Sequence, residues 1–328
     1  MLVALIFISF VLTAAGIWIF RKVTAGSKRL LDLPNERSSH AVPVTRGAGL
    51  SIVVVVLGLY IYVSWDNADP AFLIAAGIIA AVGFLDDIFS TPLLLRLAVQ
   101  IAAASVFVYF SGSYAGTAGV SFGFLSSVIS MIFIVWVTNA FNFMDGIDGI
   151  AGIQGVGAAL GWLFLGMAIG SSPIALFAAI LLGSCAGFLL FNWPPAKVFM
   201  GDVGSTFLGF TFASFPLIGD SDRSPTGYYG LAAAMVFLWL FLFDTIFTRT
   251  RQVVKLKRFW LPHRDHLYQR IVIGGSSHST VSLLFGSFGV AAAFAACFAL
   301  NNSVIPLIAI LVLGPISLLL WAWNKRLT

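Results

Sequence analysis

Charged side chains are scarce in this sequence, and cysteine is scarcer still. Of the 328 residues, 9% are charged and 59% are hydrophobic. This balance excludes an ordinary soluble domain and gives no basis for a nucleic-acid partner. Both cysteines, Cys185 and Cys297, lie in apolar runs, so neither a disulfide framework nor a thiolate metal site is expected. The run that starts at Met1 lacks a preceding basic stretch and a small-residue cleavage site, so we expect a retained helix.

Apolar runs long enough to cross a bilayer are abundant. They predict an all-α polytopic membrane protein that forms one integral-membrane domain over residues 1–328. Eleven transmembrane helices are predicted, or ten if the short eighth run is not a span. The runs are Leu2–Phe20, Gly49–Trp65, Ala71–Phe89, Leu93–Phe110, Phe122–Phe141, Ile150–Gly170, Pro173–Phe191, Thr206–Ile218, Tyr228–Phe247, Val281–Leu300 and Val304–Trp323.

The basic residues predict the orientation. If the N-terminus is outside, all of the 18 Lys and Arg residues except Arg223 fall on the cytoplasmic side, as the positive-inside rule requires. The acids follow the same division, since only four of the 13 fall outside: Asp66, Asp69, Asp220 and Asp222. A bare helix bundle has no need to gather carboxylates on one side. The cytoplasmic face is therefore expected to carry the active site, and the C-terminus is expected to be cytoplasmic.

The densest polar motif runs from Asn139 to Gly149 and follows an apolar run. Asn139 and Asn142 are three residues apart and can share one face at the end of a helix. Gly146 and Gly149 weaken the helix beyond them, so Asp145 and Asp148 are expected on a turn at the membrane surface. Such an oxygen-rich pocket suits Mg²⁺ with a phosphate attached. The alternative interpretation is a capped helix end followed by a polar loop.

Two other acidic motifs lie at helix ends. Asp86 and Asp87 point about 100° apart on a helix, so they cannot do the same job, and crowding favours a raised pKa on one of them, as in a general base. Asp202 lies between two glycines, where a ligand can approach closely, and Trp193 and Phe199 could offer a flat face to a base. Solvated helix-end acids and an N-capping aspartate are the alternatives.

Two polar loops add basic groups. One contains Arg37, His40 and Arg46, which offer cationic or hydrogen-bonding groups beside the membrane. The alternative interpretation is that they anchor anionic lipid headgroups. The other loop contains a P-H-x-x-H motif whose charge-assisted hydrogen bonds suit a pyrophosphate or a sugar. A zinc site is disfavoured because thiolates are missing and arginine is in surplus. The residues of that motif are His263, Arg264 and His266.

Together these motifs resemble the polyprenyl-phosphate N-acetylhexosamine-1-phosphate transferases, the superfamily that contains MraY and WecA. The resemblance rests on N-x-x-N-x-x-D-G-x-D-G from Asn139, the acidic pair at Asp86, and F-N-x-x-P-A-K-V-F-M-G-D-x-G-S from Phe191. The R-S-x-H-x-x-P loop and the P-H-x-x-H loop fit it as well. Any one motif is weak evidence, but the joint match in family order is specific.

The resemblance implies transfer of a sugar-1-phosphate from a UDP-N-acetyl-sugar to undecaprenyl phosphate, with UMP released and Mg²⁺, or alternatively Mn²⁺, as cofactor. It implies a bacterial plasma membrane location and contact with membrane lipids, and it leaves a homodimer open. It also implies roles for individual residues. The metal site is Asn142 and Asp202; the catalytic carboxylates are Asp86, Asp87 and Asp145; the nucleotide-sugar site is Asn139, Gly146, Ile147, Asp148, Asn192, Phe199, His263, Arg264 and His266.

Two departures bear on the substrate. The MraY branch has three consecutive histidines where this chain has His263-Arg264-Asp265-His266, and Gly47-Ala48-Gly49 interrupts the usual double glycine. We therefore expect an O-antigen or related surface-glycan initiator, with the peptidoglycan enzyme as the alternative. A transporter is the alternative from another class, but it should carry ionisable groups near the bilayer midplane in two related halves. A CDP-alcohol phosphotransferase would need D-G-x-x-A-R, and no such arginine follows Asp145-Gly146.

Overall fold

The computed structural model describes residues 1–32, 43–64, 67–114, 123–218, 226–255, 264–299 and 305–324. Two short strands, β1 (Leu31–Asp32) and β2 (Val44–Thr45), pair antiparallel with Leu31 opposite Thr45. The remaining regular structure is helical. In the described ranges the α-helices are α1 Leu2–Thr24, α2 Leu50–Val63, α3 Pro70–Phe89, α4 Leu93–Ser111, α5 Phe124–Met144, α6 Ile150–Ala168, α7 Ser172–Asn192, α8 Gly201–Ser214, α9 Thr226–Phe237, α10 Trp239–Val254, α11 Leu267–Ile273, α12 His278–Ala299 and α13 Ile305–Asn324.

The prediction of an all-α polytopic membrane protein is confirmed. Within the described ranges, seven helices are long and apolar enough to cross a membrane, and the pair α9 and α10, bent by 74°, would make an eighth span. Two further apolar helices are shorter, Leu50–Val63 and Ile308–Trp323. Each of the eleven predicted runs overlaps one helix or the bent pair. The number of crossings and the face that lies in the cytoplasm stay predictions.

Helix α8 lies in the middle of one half of the bundle. Helices α3 and α5 pack along it, and α4 contacts both of them. Every residue from Val203 to Ser214 is buried. Aromatic rings fill the surrounding space: Phe210 stacks on Phe72 with ring centroids 6.0 Å apart and meets Phe107 edge-on at 5.7 Å. With 14 residues, α8 rises only about 21 Å, so it is too short to cross the roughly 30 Å hydrocarbon core on its own.

The start of α8 differs from the apolar run that predicted it. The run begins at Thr206, but the helix begins at Gly201 and places Asp202 in its first turn. The five residues in front of the run, Gly201 to Ser205, are helical and lie against α3. Gly83 of α3 touches the backbone of α8: a Cβ there would come within 2.6 Å of the Asp202 carbonyl oxygen. A glycine is therefore required for the two backbones to approach this closely.

This contact gives a testable expectation for two glycines of α3. Gly83→Ala should lower the thermal stability of the purified protein, because overpacking of a tight contact costs about 1–3 kcal/mol. Gly77→Ala is the matched control, since a Cβ at Gly77 meets nothing within 4 Å. Its effect should be neutral or slightly stabilising, as alanine has the higher helix propensity. Equal melting temperatures for the two variants would contradict the close approach of α3 to α8.

Candidate active site

Three carboxylates and two arginines from four separate segments meet beside the N-terminal end of α8. Arg46 Nε donates to Asp87 Oδ1 at 2.7 Å, and Arg46 Nη2 donates to Asp202 Oδ1 at 3.2 Å. Arg96 Nη1 donates to Asp86 Oδ2 at 2.8 Å and to Asp202 Oδ2 at 2.7 Å. We call these five residues the carboxylate–arginine centre. When all are ionised, three negative charges face two positive ones, so one negative charge remains uncompensated.

Asp87 fixes the start of α8. Its Oδ1 accepts the backbone N–H of Asp202 at 2.9 Å, and its Oδ2 accepts that of Val203 at 3.1 Å. The first N–H groups of a helix have no partner within the helix, and a negative charge beside them also interacts favourably with the helix dipole. The Asp87 side chain has no exposed surface. It therefore caps α8 from a different helix, and Arg46 balances its charge.

Asp86 has different partners from Asp87. Its Oδ1 accepts both the backbone N–H and the hydroxyl of Thr91, each at 2.7 Å. Its Oδ2 faces Arg96, and its side chain keeps 9% of its surface exposed. Thr91 lies in the short turn between α3 and α4, so Asp86 also fixes the direction in which α4 leaves α3. The two adjacent carboxylates thus act on different helices.

Arg46 is held in place by backbone contacts on both sides of it. Its own N–H donates to the carbonyl oxygen of Leu30 at 2.8 Å. Farther along, Ala48 N donates to the Phe199 carbonyl oxygen at 3.1 Å and Gly49 N to that of Met200 at 2.9 Å. The segment after β2 is therefore attached to the segment that leads into α8. This attachment explains how a residue of the first loop reaches Asp202.

The two asparagines of α5 line a groove between α3, α4, α5 and α8. Asn142 Nδ2 donates to Asp202 Oδ2 at 3.2 Å, and Asn142 Oδ1 accepts the hydroxyl of Ser205 at 2.9 Å. Asn139 Nδ2 donates to Gln100 Oε1 of α4. The groove has an apolar wall, and polar side chains lie at one of its ends. The lining residues are Ile79, Val82, Gly83, Leu93, Arg96, Val99, Gln100, Asn139, Asn142, Phe143, Asp202 and Thr206.

Asp145 lies just beyond the end of α5, on the turn that leads to α6. Burial raises the pKa of the Asp145 carboxyl to about 7, and the negative charges of Asp202 and Asp87 add to that shift. Arg46 acts in the opposite direction. The pKa of Asp145 therefore depends on the charge of the carboxylate–arginine centre, although no direct hydrogen bond joins the two among the described residues.

Asp148 and Asn192 organise the rest of that turn. Asn192 Oδ1 accepts the N–H of Gly149 at 2.9 Å, and its Nδ2 donates to the Val198 carbonyl oxygen at 2.9 Å. Asp148 Oδ2 accepts the N–H of Ala196 at 3.0 Å. The other carboxylate oxygen, Asp148 Oδ1, is buried and has no hydrogen-bond partner among the described residues. A buried acceptor without a donor is costly, so this oxygen is a candidate contact for a ligand.

The segment after residue 263 is fixed by Asp244 of α10. The fully buried Asp244 carboxylate accepts the backbone N–H groups of Leu267 at 2.9 Å and Tyr268 at 3.1 Å, and it lies 3.1 Å from His266 Nδ1. Tyr268 Oη in turn donates to the Phe143 carbonyl oxygen at 3.1 Å. Burial raises the pKa of Tyr268 well above its usual value, so its hydroxyl remains a donor. Asp244 thereby connects this segment to the end of α5.

Gly146 is the point where this segment meets the turn. A Cβ at Gly146 would collide with the Tyr268 hydroxyl oxygen, so no side chain fits there. Ile147, next along the chain, is buried. Phe199 is partly buried in the segment that joins α7 to α8, where its N–H donates to the Thr45 carbonyl oxygen at 2.8 Å.

The structure brings most of the predicted site residues together at one end of the bundle. Asp86, Asp87, Asp202 and Asn142 share one network of contacts. The turn with Asp145, Gly146 and Asp148 adjoins it, and the segment with His266 reaches that turn through Tyr268. Arg264 lies close enough to Tyr268 for its positive charge to act on the Tyr268 hydroxyl. The roles of all these residues stay predictions. The predicted residues His263, Arg37 and His40 lie outside the described residues.

Sequence reasoning did not select Arg96, Gln100, Asp244 or Tyr268 as site residues. Arg96 was counted only as a cytoplasmic basic residue, although it bridges two carboxylates of the centre. The available signal was its position three residues into an otherwise apolar helix, since a charge in such a helix requires a partner. Arg46 was noted as a basic loop residue, but no pattern indicated its distant partner Asp202.

Buried, arginine-paired carboxylates at one end of a membrane helix bundle are typical of a functional site, as in membrane enzymes and transporters. Comparison with known proteins narrows this class. Residues 70–220 match the model of glycosyl transferase family 4. That range includes the acidic pair, the asparagine motif and Asp202. The predicted resemblance to the polyprenyl-phosphate N-acetylhexosamine-1-phosphate transferases is confirmed.

Curated relatives agree with this family match. A probable undecaprenyl-phosphate N-acetylglucosaminyl 1-phosphate transferase of Bacillus subtilis is 28% identical over 76% of this chain and 71% of the relative. A decaprenyl-phosphate N-acetylglucosaminephosphotransferase of Mycobacterium leprae is 28% identical, covering 92% and 87%. An undecaprenyl-phosphate alpha-N-acetylglucosaminyl 1-phosphate transferase of Escherichia coli O157:H7 is 26% identical, covering 96% and 88%.

The different partners of the acidic pair predict different effects on stability. Asp87→Asn should lower the melting temperature clearly, because the amide NH₂ would face one of the two backbone N–H donors and Arg46 would lose the charge of its nearest partner, at a cost of about 1–3 kcal/mol. Asp86→Asn is the matched control and should cost less, since its amide oxygen can still accept from Thr91. Thermal unfolding of both variants in detergent tests this order. A smaller loss for Asp87→Asn than for Asp86→Asn would contradict the capping role.

Proposed function

We propose that this protein transfers an N-acetylhexosamine-1-phosphate from a UDP-sugar to undecaprenyl phosphate and releases UMP. The observation that carries the proposal is the groove of α3, α4, α5 and α8. Its apolar wall ends at Arg96, Asn142 and Asp202, so an apolar chain with a phosphate at its end fits its chemistry. The names of the relatives point to the same acceptor class.

The acceptor is assigned to this groove. Ile79, Val82, Leu93 and Val99 offer an apolar surface to an isoprenoid chain. The guanidinium of Arg96 then meets the acceptor phosphate, and charge-assisted hydrogen bonds between guanidinium and phosphate are strong and directional. Arg96 keeps 27% of its side-chain surface exposed, which leaves it accessible to such a ligand.

The donor is assigned to the turn after α5. The unpartnered Asp148 Oδ1 can accept from a hydroxyl or ring N–H of the uridine, while Phe199 offers an aromatic face. Gly146 is exposed, so a donor can approach the backbone of the turn there. Arg264 and His266 are proposed to contact the sugar or its phosphate from the segment that Tyr268 holds against this turn. Ile147 completes the proposed donor site, whereas Asn139 lies in the groove beside Gln100 and is proposed to contact the acceptor instead.

The residues present fit a magnesium ion. The side chains of Asn142 and Asp202 touch at 3.2 Å, and the centre around them has one uncompensated negative charge. Mg²⁺ is commonly held by one or two carboxylates and completes its coordination with waters and substrate phosphates. Asn142 and Asp202 would hold the ion, with Mn²⁺ as an alternative. When bound, it would supply positive charge to the donor pyrophosphate.

The proposed reaction is an in-line displacement at phosphorus. An oxygen of the acceptor phosphate attacks the sugar-linked phosphorus of the donor, and the bond from that phosphorus to the bridging oxygen breaks, so that oxygen leaves with UMP. Asp86 is proposed to take the proton of the acceptor phosphate, while Arg96 orients that phosphate. Asp87 is proposed to position Asp202 by holding the start of α8. Positioning and charge neutralisation are the main demands of phosphoryl transfer.

The proposed pathway rests on the loop around His263, as does the expectation of a surface-glycan initiator from the sequence. The segment that begins at His263 lacks three consecutive histidines, which favours initiation of an O-antigen or similar surface glycan in a bacterial plasma membrane over peptidoglycan synthesis. The sugar is proposed to be N-acetylglucosamine or a related N-acetylhexosamine, as in the relatives.

An assay with defined substrates tests the reaction. Purified protein is incubated with undecaprenyl phosphate, Mg²⁺ and either UDP-N-acetylglucosamine or UDP-N-acetylmuramoyl-pentapeptide. UDP-N-acetylglucosamine should give UMP and a lipid diphosphate-sugar, which is detected by its mass. UDP-N-acetylmuramoyl-pentapeptide should not react. Asp202→Asn should fold but lose nearly all turnover, because an amide is a poorer Mg²⁺ ligand. Asp69→Asn, a capping aspartate at the other end of α3, is the matched control. Absence of UMP with every donor, or full activity in excess EDTA, would overturn the proposal.

The roles of the acidic pair are separated by a pH profile. Asp86→Asn should lower kcat by roughly 10²-fold or more with little change in KM, as for loss of a general base. Its activity should recover in part as pH rises, because the acceptor phosphate then sheds its proton unaided. Asp87→Asn should lose activity without such recovery, because this substitution displaces the start of α8 and does not remove a proton acceptor. Matching pH profiles for the two variants would show that the carboxylates act as one unit.

A further inference from the structure

A second pocket lies away from the carboxylate–arginine centre. It is formed where α10, α11 and α13 pack together. None of its lining residues belongs to the proposed acceptor or donor site. They are Phe247, Arg251, Leu267, Arg270, Leu319, Ala322 and Trp323.

Two arginines face this pocket from different helices. Arg251 lies in the last turn of α10 and Arg270 in the last turn of α11. Among the described residues, neither guanidinium forms a hydrogen bond or an ion pair with a side chain, whereas Arg46 and Arg96 have five carboxylate contacts between them. Both arginines are only partly exposed. Two like charges that share a partly buried pocket favour an anion between them.

The rest of the pocket is apolar and lies near the end of a membrane helix. Leu319 and Trp323 come from the last two turns of α13, and Trp323 is 64% exposed. Tryptophan near the end of an apolar helix is typical of the membrane–water interface. Val253 and Val254 at the end of α10 are exposed apolar residues as well. The anion is thus expected to carry an apolar portion that lies along this surface.

We propose that the α10–α11–α13 pocket binds one anionic phospholipid. Its phosphate lies between Arg251 and Arg270, and an acyl chain lies along Phe247 and Leu319. Basic pockets between membrane helices recognise phospholipid headgroups in this way. Because Arg270 belongs to α11, whose first turn is capped by Asp244, the lipid would hold the same short helix that carries His266 and Tyr268 at its start.

Native mass spectrometry of the full-length, delipidated protein tests the site, with phosphatidylglycerol, phosphatidylcholine and inorganic phosphate as separate probes. The wild type should bind one phosphatidylglycerol in preference to phosphatidylcholine. The double variant Arg251→Gln/Arg270→Gln should lose affinity on the order of tenfold. Arg21→Gln/Lys22→Gln is the matched control, because it removes the same charge from the end of α1. It should retain the lipid.

A second variant, which keeps both arginines, tests the pocket even if the arginine double variant misfolds. Leu319→Trp fills the apolar part of the pocket and should also reduce phosphatidylglycerol binding, while leaving the arginines in place. Equal retention of phosphatidylglycerol by the wild type and the arginine double variant would overturn the site. Equal binding of phosphatidylcholine would overturn its charge selectivity. Inorganic phosphate that raises the melting temperature of the wild type but not of the double variant would reassign the pocket to a free phosphate.

Discussion

The contact on which the rest of the site depends is the pair of hydrogen bonds from the first N–H groups of α8 to the Asp87 carboxylate. The first N–H groups of a helix have no acceptor within the helix, so the buried start of α8 needs an acceptor from another segment. Asp87 supplies the acceptor from α3. The bonds set where α8 begins, and hence where Asp202 points. Asn142 and Arg96 both contact Asp202, so the cap positions the carboxylate at which the groups of the centre meet.

Burying three carboxylates in such a place is expensive, and the structure shows how the charge is balanced. Isolated charges in a low-dielectric interior are strongly disfavoured, and pairing them is the common solution. Arg46 lies within 3.8 Å of an oxygen of each of the three carboxylates, and Arg96 bridges two of them. The compensation is incomplete by one charge. When all five groups are ionised, the centre therefore favours a cation beside it.

The sequence was sufficient to predict most of the helices, because each apolar run has about the length that is needed to cross a bilayer. It was also sufficient to single out Asp86, Asp87, Asn142 and Asp202, because polar residues in apolar surroundings need a reason to be there. It did not predict the partners. Arg96 bonds to a residue 106 positions away, and no local pattern encodes such a pairing. The start of α8 at Gly201 was missed for the same reason, since its cap comes from another helix.

The arginines also bear on how substrates would enter. In the structure, Arg96 donates from one nitrogen to both Asp86 and Asp202, so it is neutralised by the protein. A phosphate in the groove would compete with these carboxylates for the guanidinium, and a cation beside Asp202 would compete with Arg96 for that carboxylate. Each exchange leaves a partner free for the other, so donor, cation and acceptor phosphate are expected to bind cooperatively. The same exchange would release Asp86 from Arg96, and a carboxylate that loses a cationic partner becomes a stronger proton acceptor. Binding of the acceptor phosphate would thus prepare Asp86 for the role proposed for it.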